Sequence, residues 1–548
     1  MNSRPLVTFL LLFFSLLVFL PGVATLPVTD RDEARFAQAT AQMVESGDYI
    51  DIEFQQQKRY QKPIGIYWLQ SLSLNLLGAE REIWRHRTVS LVSAVLSVLL
   101  TSLLGSILFN RAVGIAAGFI LASTLLLNGE ARLAKTDAAL LLFITLAEVV
   151  VAKLYLTSSR SSSLGEEWAL FFVFWLSLTA GVYIKGPVVL LILGLTLLTL
   201  AVLDRNLGVI KGLKLPLGIM ILVGLMAPWF IQITLMSEGQ FLMDSLGVDF
   251  LDKLVEVRET HGAPPGFYFG FLWLGFFPFS LLLARGLGIA LFEKKSRSHH
   301  FLLAWIIPAW IVLEGVTTKL PHYILPLFPP LAVIAATVLY QPFRRSPGLF
   351  RAGLSGLLIT LAVVGSVAVV GAPSLLIWWM TDQLPKFTIL WVALAGLGGI
   401  GISLLLFFRQ QWVGLVVFLC LLAVGHHLFV FRSFLPGIEA LWVTRQIATT
   451  LEDHPVDCEA YPVLSVGYHE PSLVYTLGTQ IRLVNPAQLE AQLDKPECAL
   501  VMTTDPETVK RREGQKEIKQ IGRVSGLNYS NGRWVELQLL EVKTPSNP

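Results

Sequence analysis

The chain has 548 residues, 54% hydrophobic and 15% charged, with a formal net charge of +3 and a mean hydropathy of +0.63. Soluble domains carry roughly 25% charged residues, so a soluble globular protein is excluded and a helix bundle in lipid is expected. Three cysteines are too few for a disulfide scaffold or a Cys-rich metal site. No Gly-x-x-x-x-Gly-Lys-Ser/Thr loop supports nucleotide hydrolysis, and no nucleic-acid partner is expected.

Arg4 precedes the apolar run Leu6–Leu20, which continues to Leu26. It reads as an uncleaved first helix starting in the cytoplasm rather than a signal peptide, because it approaches the ~20 residues needed to span. Further apolar runs fall near 86–108, 112–128, 137–157, 168–184, 187–203, 216–236, 267–286, 301–316, 323–340, 351–380, 387–408 and 412–432. Together they predict about 13 spans. Alternate connections hold Arg111; Lys153 and Arg160; Arg205, Lys211 and Lys214; Lys294, Lys295 and Arg297; Arg344, Arg345 and Arg351; and Arg409. All lie on one side if the first helix starts inside, which orients the chain. The opposite, periplasmic side then receives the loop at 23–85 and everything after about 433.

The expected fold is mainly α. A polytopic transmembrane bundle covers 1–435, with 27–85 as a first periplasmic catalytic loop containing interfacial helices. A small periplasmic α/β domain covers 436–548. In the loop, Asp32 opens a helix, Ala34, Ala37 and Met43 recur at helical spacing, and Gly47 closes it. The tail predicts helices at Gly437–Glu452, Pro486–Leu493 and Asp505–Arg512, and strands at Val463–Tyr468, Ile481–Val484, Ala499–Thr503 and Trp534–Val542. Asn531-Gly532 is a hairpin signal. Cys458 and Cys498 both fall in this tail, where a periplasmic setting permits a bridge between them.

Chemistry concentrates in Thr29-Asp30-Arg31-Asp32-Glu33-Ala34-Arg35-Phe36 and in Tyr60-Gln61-Lys62-Pro63-Ile64-Gly65-Ile66-Tyr67-Trp68. A carboxylate where membrane meets water can accept a proton or hold a cation, and Lys and Arg there can hold a phosphate. The bland alternative is a solvated loop. Asp137, after Thr136, opens an apolar run and also reads as a helix-start acid stabilised by the dipole. Lys185 in Lys185-Gly186-Pro187 reads equally as an interfacial anchor. Lys319 and Tyr323, in Thr318-Lys319-Leu320-Pro321-His322-Tyr323-Ile324-Leu325-Pro326, can both donate to phosphate oxygens, or belong to an interfacial belt. Arg258 and His261 precede Gly262-Ala263-Pro264-Pro265 on a stretch that also reads as a solvated amphipathic helix. Glu314 is an acid near the boundary, a candidate ion-pair partner of Lys319.

The Asp-Glu-Ala-Arg run, Gly47-Asp48, Lys62-Pro63 and Tyr67-Trp68 resemble the first periplasmic loop of the membrane-embedded C-type glycosyltransferases. The resemblance is to the lipid A aminoarabinose transferases and the protein O-mannosyltransferases, and covers roughly 20–340. It implies that Asp32 is the catalytic carboxylate and that Asp137 belongs to the same pattern. The Lys-Gly-Pro turn and the Lys-Leu-Pro-x-Tyr-x-x-Pro segment resemble further parts of the family. Where the aminoarabinose transferases commonly place a Glu that can help hold a metal, this chain has Gln61, a neutral, poor ligand. The metal site is therefore unknown, and a divalent metal cofactor stays open.

The reading is an inner-membrane glycosyltransferase that moves a sugar from a polyprenyl-phosphate donor to a lipid A, glycan or protein acceptor at the periplasmic face. Asp32 and Asp137 are its catalytic candidates. Arg35, Lys62, Lys319 and Tyr323 are its phosphate-binding candidates, with Glu33, Lys185, Arg258 and His261 in support. A phosphate leaving group has low basicity, so the site needs cations beside it more than a proton donor, plus a carboxylate beside the attacking group. The family resemblance implies inversion at the anomeric carbon. A lipid or glycan transporter or flippase is the rival; it predicts midplane charges in paired halves, whereas these charges gather at one face.

Overall fold

The computed structural model describes residues 4–157, 163–245, 262–292, 296–340, 349–383, 385–456, 461–493, 498–511 and 516–544. Among these, eight helices are long and apolar enough to cross a membrane: Ile83–Leu108, Asp137–Leu156, Leu164–Lys185, Leu215–Met236, Pro321–Tyr340, Ala352–Thr381, Phe387–Phe408 and Trp412–Phe434. Four shorter apolar helices join them, Pro5–Phe19, Arg111–Ser123, Val188–Asp204 and Ser280–Leu291. The expected count of about thirteen spans is not reproduced by this measure. A helix such as Arg111–Ser123, of 13 residues, rises only about 20 Å, short of the ~30 Å hydrocarbon core. The run near 267–286 is two helices, Phe267–Gly275 and Ser280–Phe292. Pro278 lies in the break; its missing N–H and its ring would disrupt a continuous helix there.

The chain divides into two compact units. The first is Met1–Val23, Tyr60–Leu69 and Arg87–Arg432. Its helices pack closely through small residues, as membrane bundles do. A Cβ on Gly105 would stand 2.8 Å from the Gly114 Cα, so those two helices meet backbone to backbone. At Gly65 a Cβ would meet the Tyr183 carbonyl oxygen at 2.6 Å. That close approach seats the Lys62–Trp68 segment against the end of the helix Leu164–Lys185.

The second unit is Ala24–Arg59, Gln70–His86 and Ser433–Pro548, so residues 24–59 of the first loop group with the tail. Helix Asp32–Ser46 has two acids in its first turn and ends on Gly47 at φ 73°, the left-handed position glycine adopts without strain. A two-residue hairpin follows, β1 (Glu53–Phe54) with β2 (Gln57–Lys58). The tail holds helix Val443–Asp453, β3 (Val463–Val466), helix Pro471–Leu477, β4 (Arg482–Leu483), helix Pro486–Leu493, β5 (Cys498–Thr503), β6 (Glu517–Asn528) and β7 (Arg533–Lys543). The sheet order is β4-β3-β5-β7-β6. β3 runs parallel to β4 and β5, and β7 runs antiparallel to β5 and β6. Trp534 therefore lies in a hairpin strand, as its turn signal implied, but β7 is interior and β6 is the edge.

Period-two alternation assigns the two faces of this sheet. Leu500, Met502, Leu537 and Leu539 join Val443, Ile447 and Leu473 on one face. Ala499, Val501, Leu540 and Val542 join Leu464, Leu489 and Leu493 on the other. Each large side chain so buried contributes roughly 1.5–3 kcal/mol. Cys498 is disulfide-bonded; Cys458, the partner expected from the sequence, lies outside the described residues.

Candidate active site

In the first unit, an acid–base cluster forms where three elements end. Asp137 opens the helix Asp137–Thr157, Lys185 closes Leu164–Lys185, and His322 and Tyr323 lie on the 3-10 turn Pro321–Leu327. Lys185 Nζ reaches Asp137 Oδ1 at 2.5 Å. Lys135 Nζ lies 3.2 Å from Glu130 Oε1 and 3.9 Å from Asp137 Oδ2. His322 stands between the two acids, Nδ1 at 3.9 Å from Glu130 and Nε2 at 3.9 Å from Asp137. The Lys185 ammonium also lies 5.1 Å from the Tyr323 ring centroid.

Removing these charges from water costs several kcal/mol per ion unless they are paired, and here they are. Burial pushes the Glu130 carboxyl up to about 7, with Lys135 opposing. Two carboxyl groups thus face two ammonium groups and an imidazole, and ammonium groups so placed can also hold an anion.

The remaining candidates of this unit are placed differently. Lys319 is buried, and its Nζ donates to the backbone carbonyls of Val316 (2.6 Å) and Ala263 (2.9 Å), which commits two of its three donors. Glu314 does not pair with it. Its carboxylate accepts the Gly266 and Phe269 amides instead, because a helix start leaves N–H groups that attract an acid. Lys62 is half-buried, two residues before Ile64 and the Gly65 contact. Trp68 packs on Tyr183 and Trp229, with centroids at 5.4 and 6.4 Å.

In the second unit, Asp32 and Arg35 are half-buried and Glu33 is fully buried, all in the first turn of helix Asp32–Ser46. Glu33 Oε2 accepts both the Thr29 amide and hydroxyl at 2.9 Å. The Asp30 amide donates to the Tyr529 hydroxyl oxygen at 2.7 Å, and Asp30 Oδ1 accepts the Ser472 amide at 3.2 Å. Desolvation raises the Asp30 carboxyl to about 7, against hydrogen bonds from Ser472 and with Glu470 adding repulsion. Asp30 also lines a cavity of about 530 Å³ with Arg81, Trp442, Thr444, Arg445 and Ser472.

Thus the structure brings Asp137, Lys185 and Tyr323 together, holds Lys319 on backbone carbonyls, and sets Asp32, Glu33 and Arg35 on one helical turn. Arg258 and His261 lie outside the described residues. Sequence reasoning left Glu130, Lys135, His322 and Asp30 without a role. The signal for Glu130 was an acid in a short link between apolar runs, beside Arg132 and Lys135. Among the described residues no group of three His, Cys, Asp or Glu side chains is arranged to hold a metal.

The sequence family described as dolichyl-phosphate-mannose-protein mannosyltransferase matches residues 3–237. An undecaprenyl phosphate-alpha-4-amino-4-deoxy-L-arabinose arabinosyl transferase of Pectobacterium carotovorum is 30% identical over 336 residues, 60% of this chain and 58% of that protein. A crystal structure of ArnT from Cupriavidus metallidurans bound to undecaprenyl phosphate superposes with a TM-score of 0.76, at 17% identity and 98% coverage of both chains. The chain shares the fold of that ArnT and is related in sequence to the Pectobacterium arabinosyl transferase over 336 residues. An Archaeoglobus fulgidus oligosaccharyltransferase matches at a TM-score of 0.53 and 12% identity, over 89% of this chain and 65% of that one. In sequence, the chain matches 58% of the length of the Pectobacterium relative. Its apolar helices and its bacterial relatives make it a multi-pass protein of a bacterial inner membrane.

Proposed function

We propose that the protein is a glycosyltransferase taking its sugar from a polyprenyl-phosphate donor, with its active site and C-terminal unit facing the periplasm. The observation that carries this reading is the cationic cluster of Lys135 and Lys185 around the buried Asp137, in a chain 30% identical over 336 residues to an arabinosyl transferase named for an undecaprenyl-phosphate sugar. A pentose such as aminoarabinose is the first sugar to test, and lipid A the first acceptor, with another glycan or protein next.

In this reading an acceptor oxygen attacks the anomeric carbon while the carbon–oxygen bond to phosphate breaks. The acceptor's proton passes to the Asp32 carboxylate, and the polyprenyl phosphate leaves with the bonding pair. Arg35, Lys62, Lys319 and Tyr323 offset the charge developing on that phosphate. Asp137 holds Lys185 in place for the same purpose, and Glu33 fixes the start of its helix. No residue is assigned to a metal.

The test is transfer by the purified, reconstituted protein. Radiolabelled undecaprenyl-phosphate aminoarabinose and lipid A should give labelled lipid A and free undecaprenyl phosphate. Movement of intact donor across vesicles without bond cleavage would favour the flippase reading.

A further inference from the structure

The helix that begins at Asp32 is entered through a costly backbone conformation. Arg31 has φ 63° and ψ −105°, a left-handed region that disfavours a residue with a side chain. Such strain persists only where the surroundings over-determine it. Arg31 is the N-cap residue, yet its side chain makes no capping hydrogen bond, so the helix start is not fixed in the usual local way.

Besides the local Thr29–Glu33 hydrogen bonds, distant residues of the same unit hold it. Arg31 Nη2 donates to the Ser530 carbonyl at 2.6 Å. The Asp30 amide donates to the Tyr529 hydroxyl oxygen, and the Ser472 amide to Asp30 Oδ1. Tyr529 and Ser530 lie in the turn between β6 and β7. Asn528, ending β6, donates to Glu470 Oε1 at 2.8 Å, one residue before helix Pro471–Leu477. The two segments that grip residues 30 and 31 are thus tied to each other. On the near side, the Thr29–Glu33 hydrogen bonds close the turn.

We propose that Asp30 and Arg31 are positioning residues for the transfer reaction: gripped by residues 470–472 and 528–530, they hold the strained turn that sets the direction of the Asp32 carboxylate. This rests on the reading of Asp32 as the proton acceptor. Relaxing Arg31 to negative φ would swing the first turn and move that carboxylate. Because misplacement of about 1 Å can cost on the order of 100-fold, the effect belongs in kcat and not in donor affinity.

The test uses the full-length reconstituted protein, with kcat, donor KM and thermal midpoint measured for Asp30→Ala, Asp30→Asn, Tyr529→Phe and Asp32→Asn. Asp30→Ala should lower kcat about 10- to 100-fold with donor KM within about twofold of wild type. Asp30→Asn, which keeps an oxygen for the Ser472 amide, should recover most of that loss. Tyr529→Phe, which removes the acceptor of the Asp30 amide, should lower kcat roughly threefold. It carries the same test should Asp30→Ala not fold. Wild-type kcat in both Asp30→Ala and Tyr529→Phe overturns the proposal, as does a kcat loss that tracks a falling thermal midpoint equally in Asp30→Ala and Asp30→Asn. An inactive Asp32→Asn beside an unimpaired Asp30→Ala removes the positioning role alone, whereas a fully active Asp32→Asn removes the reading of Asp32 with it.

Discussion

Asp137 in the first unit is buried and Asp30 in the second is half-buried, and their companions differ. Around Asp137 stand two ammonium groups, an imidazole and, on the far side of Lys135 and His322, the Glu130 carboxyl. Around Asp30 stand a backbone amide, hydroxyls and a second carboxylate, Glu470. The first arrangement compensates charge with charge. The second provides no cation in its hydrogen bonds, so the proton is retained towards neutral pH and the contacts act as a brace. In the proposed function the first set of polar residues serves the donor phosphate and the second holds a turn.

The largest expected effect falls on the residue that the brace presents. Asp32→Asn should lower kcat about 10²- to 10⁴-fold, as loss of a general base does, with donor affinity and expression unchanged; a steady-state assay at saturating donor reads it. Lys185→Ala should come next. It leaves the buried Asp137 without its nearest cation, a cost of about 3–5 kcal/mol, seen as a lower thermal midpoint and partly restored in the Lys185→Ala, Asp137→Asn double variant. No coupling in that double-mutant cycle would mean the pair does not share the charge compensation described here.

Lys62→Ala should weaken donor binding by about 1.5–3 kcal/mol, the worth of a charge-assisted contact. Lys319→Ala should also weaken it, and its two backbone contacts predict an accompanying fall in thermal midpoint that Lys62→Ala lacks. Donor titrations and melting curves of the two variants separate them.

A further effect is a pH dependence of stability. Asp30 is raised from the usual 3.8 to about 7, so the native state holds this proton more tightly than the unfolded chain. The stability it contributes is full below about pH 4 and is lost as the pH rises through about 7. The thermal midpoint of wild type should therefore fall from pH 5 to 8 more than that of Asp30→Asn.

Much of this was legible in the sequence. Helix Asp32–Ser46 was readable because Asp32, the alanine spacing and Gly47 all act locally, and the β6–β7 hairpin announced itself through Asn531-Gly532. Strand β6 was not, because Glu517–Asn528 is an edge with mixed exposure and shows little alternation. Helix Pro471–Leu477 was missed because its seven residues fall below any periodic signal. The expectation for Glu314 failed because a backbone amide at a helix start competes for a carboxylate as well as a lysine does, and sequence distance cannot rank the two. The Asp137–Lys185 pair joins residues 48 apart, and the Asp30–Tyr529 contact spans 499; tertiary packing alone brings such residues together.

The division between binding and chemistry is tested most directly by single-turnover rate and donor dissociation constant, measured together on Asp32→Asn and Lys62→Ala. The account predicts that Asp32→Asn binds undecaprenyl-phosphate sugar as wild type does and transfers it about 10²- to 10⁴-fold more slowly. It predicts that Lys62→Ala binds more weakly and loses less in rate once donor saturates. Equal losses of affinity and rate in both variants, or wild-type transfer by Asp32→Asn, would contradict it.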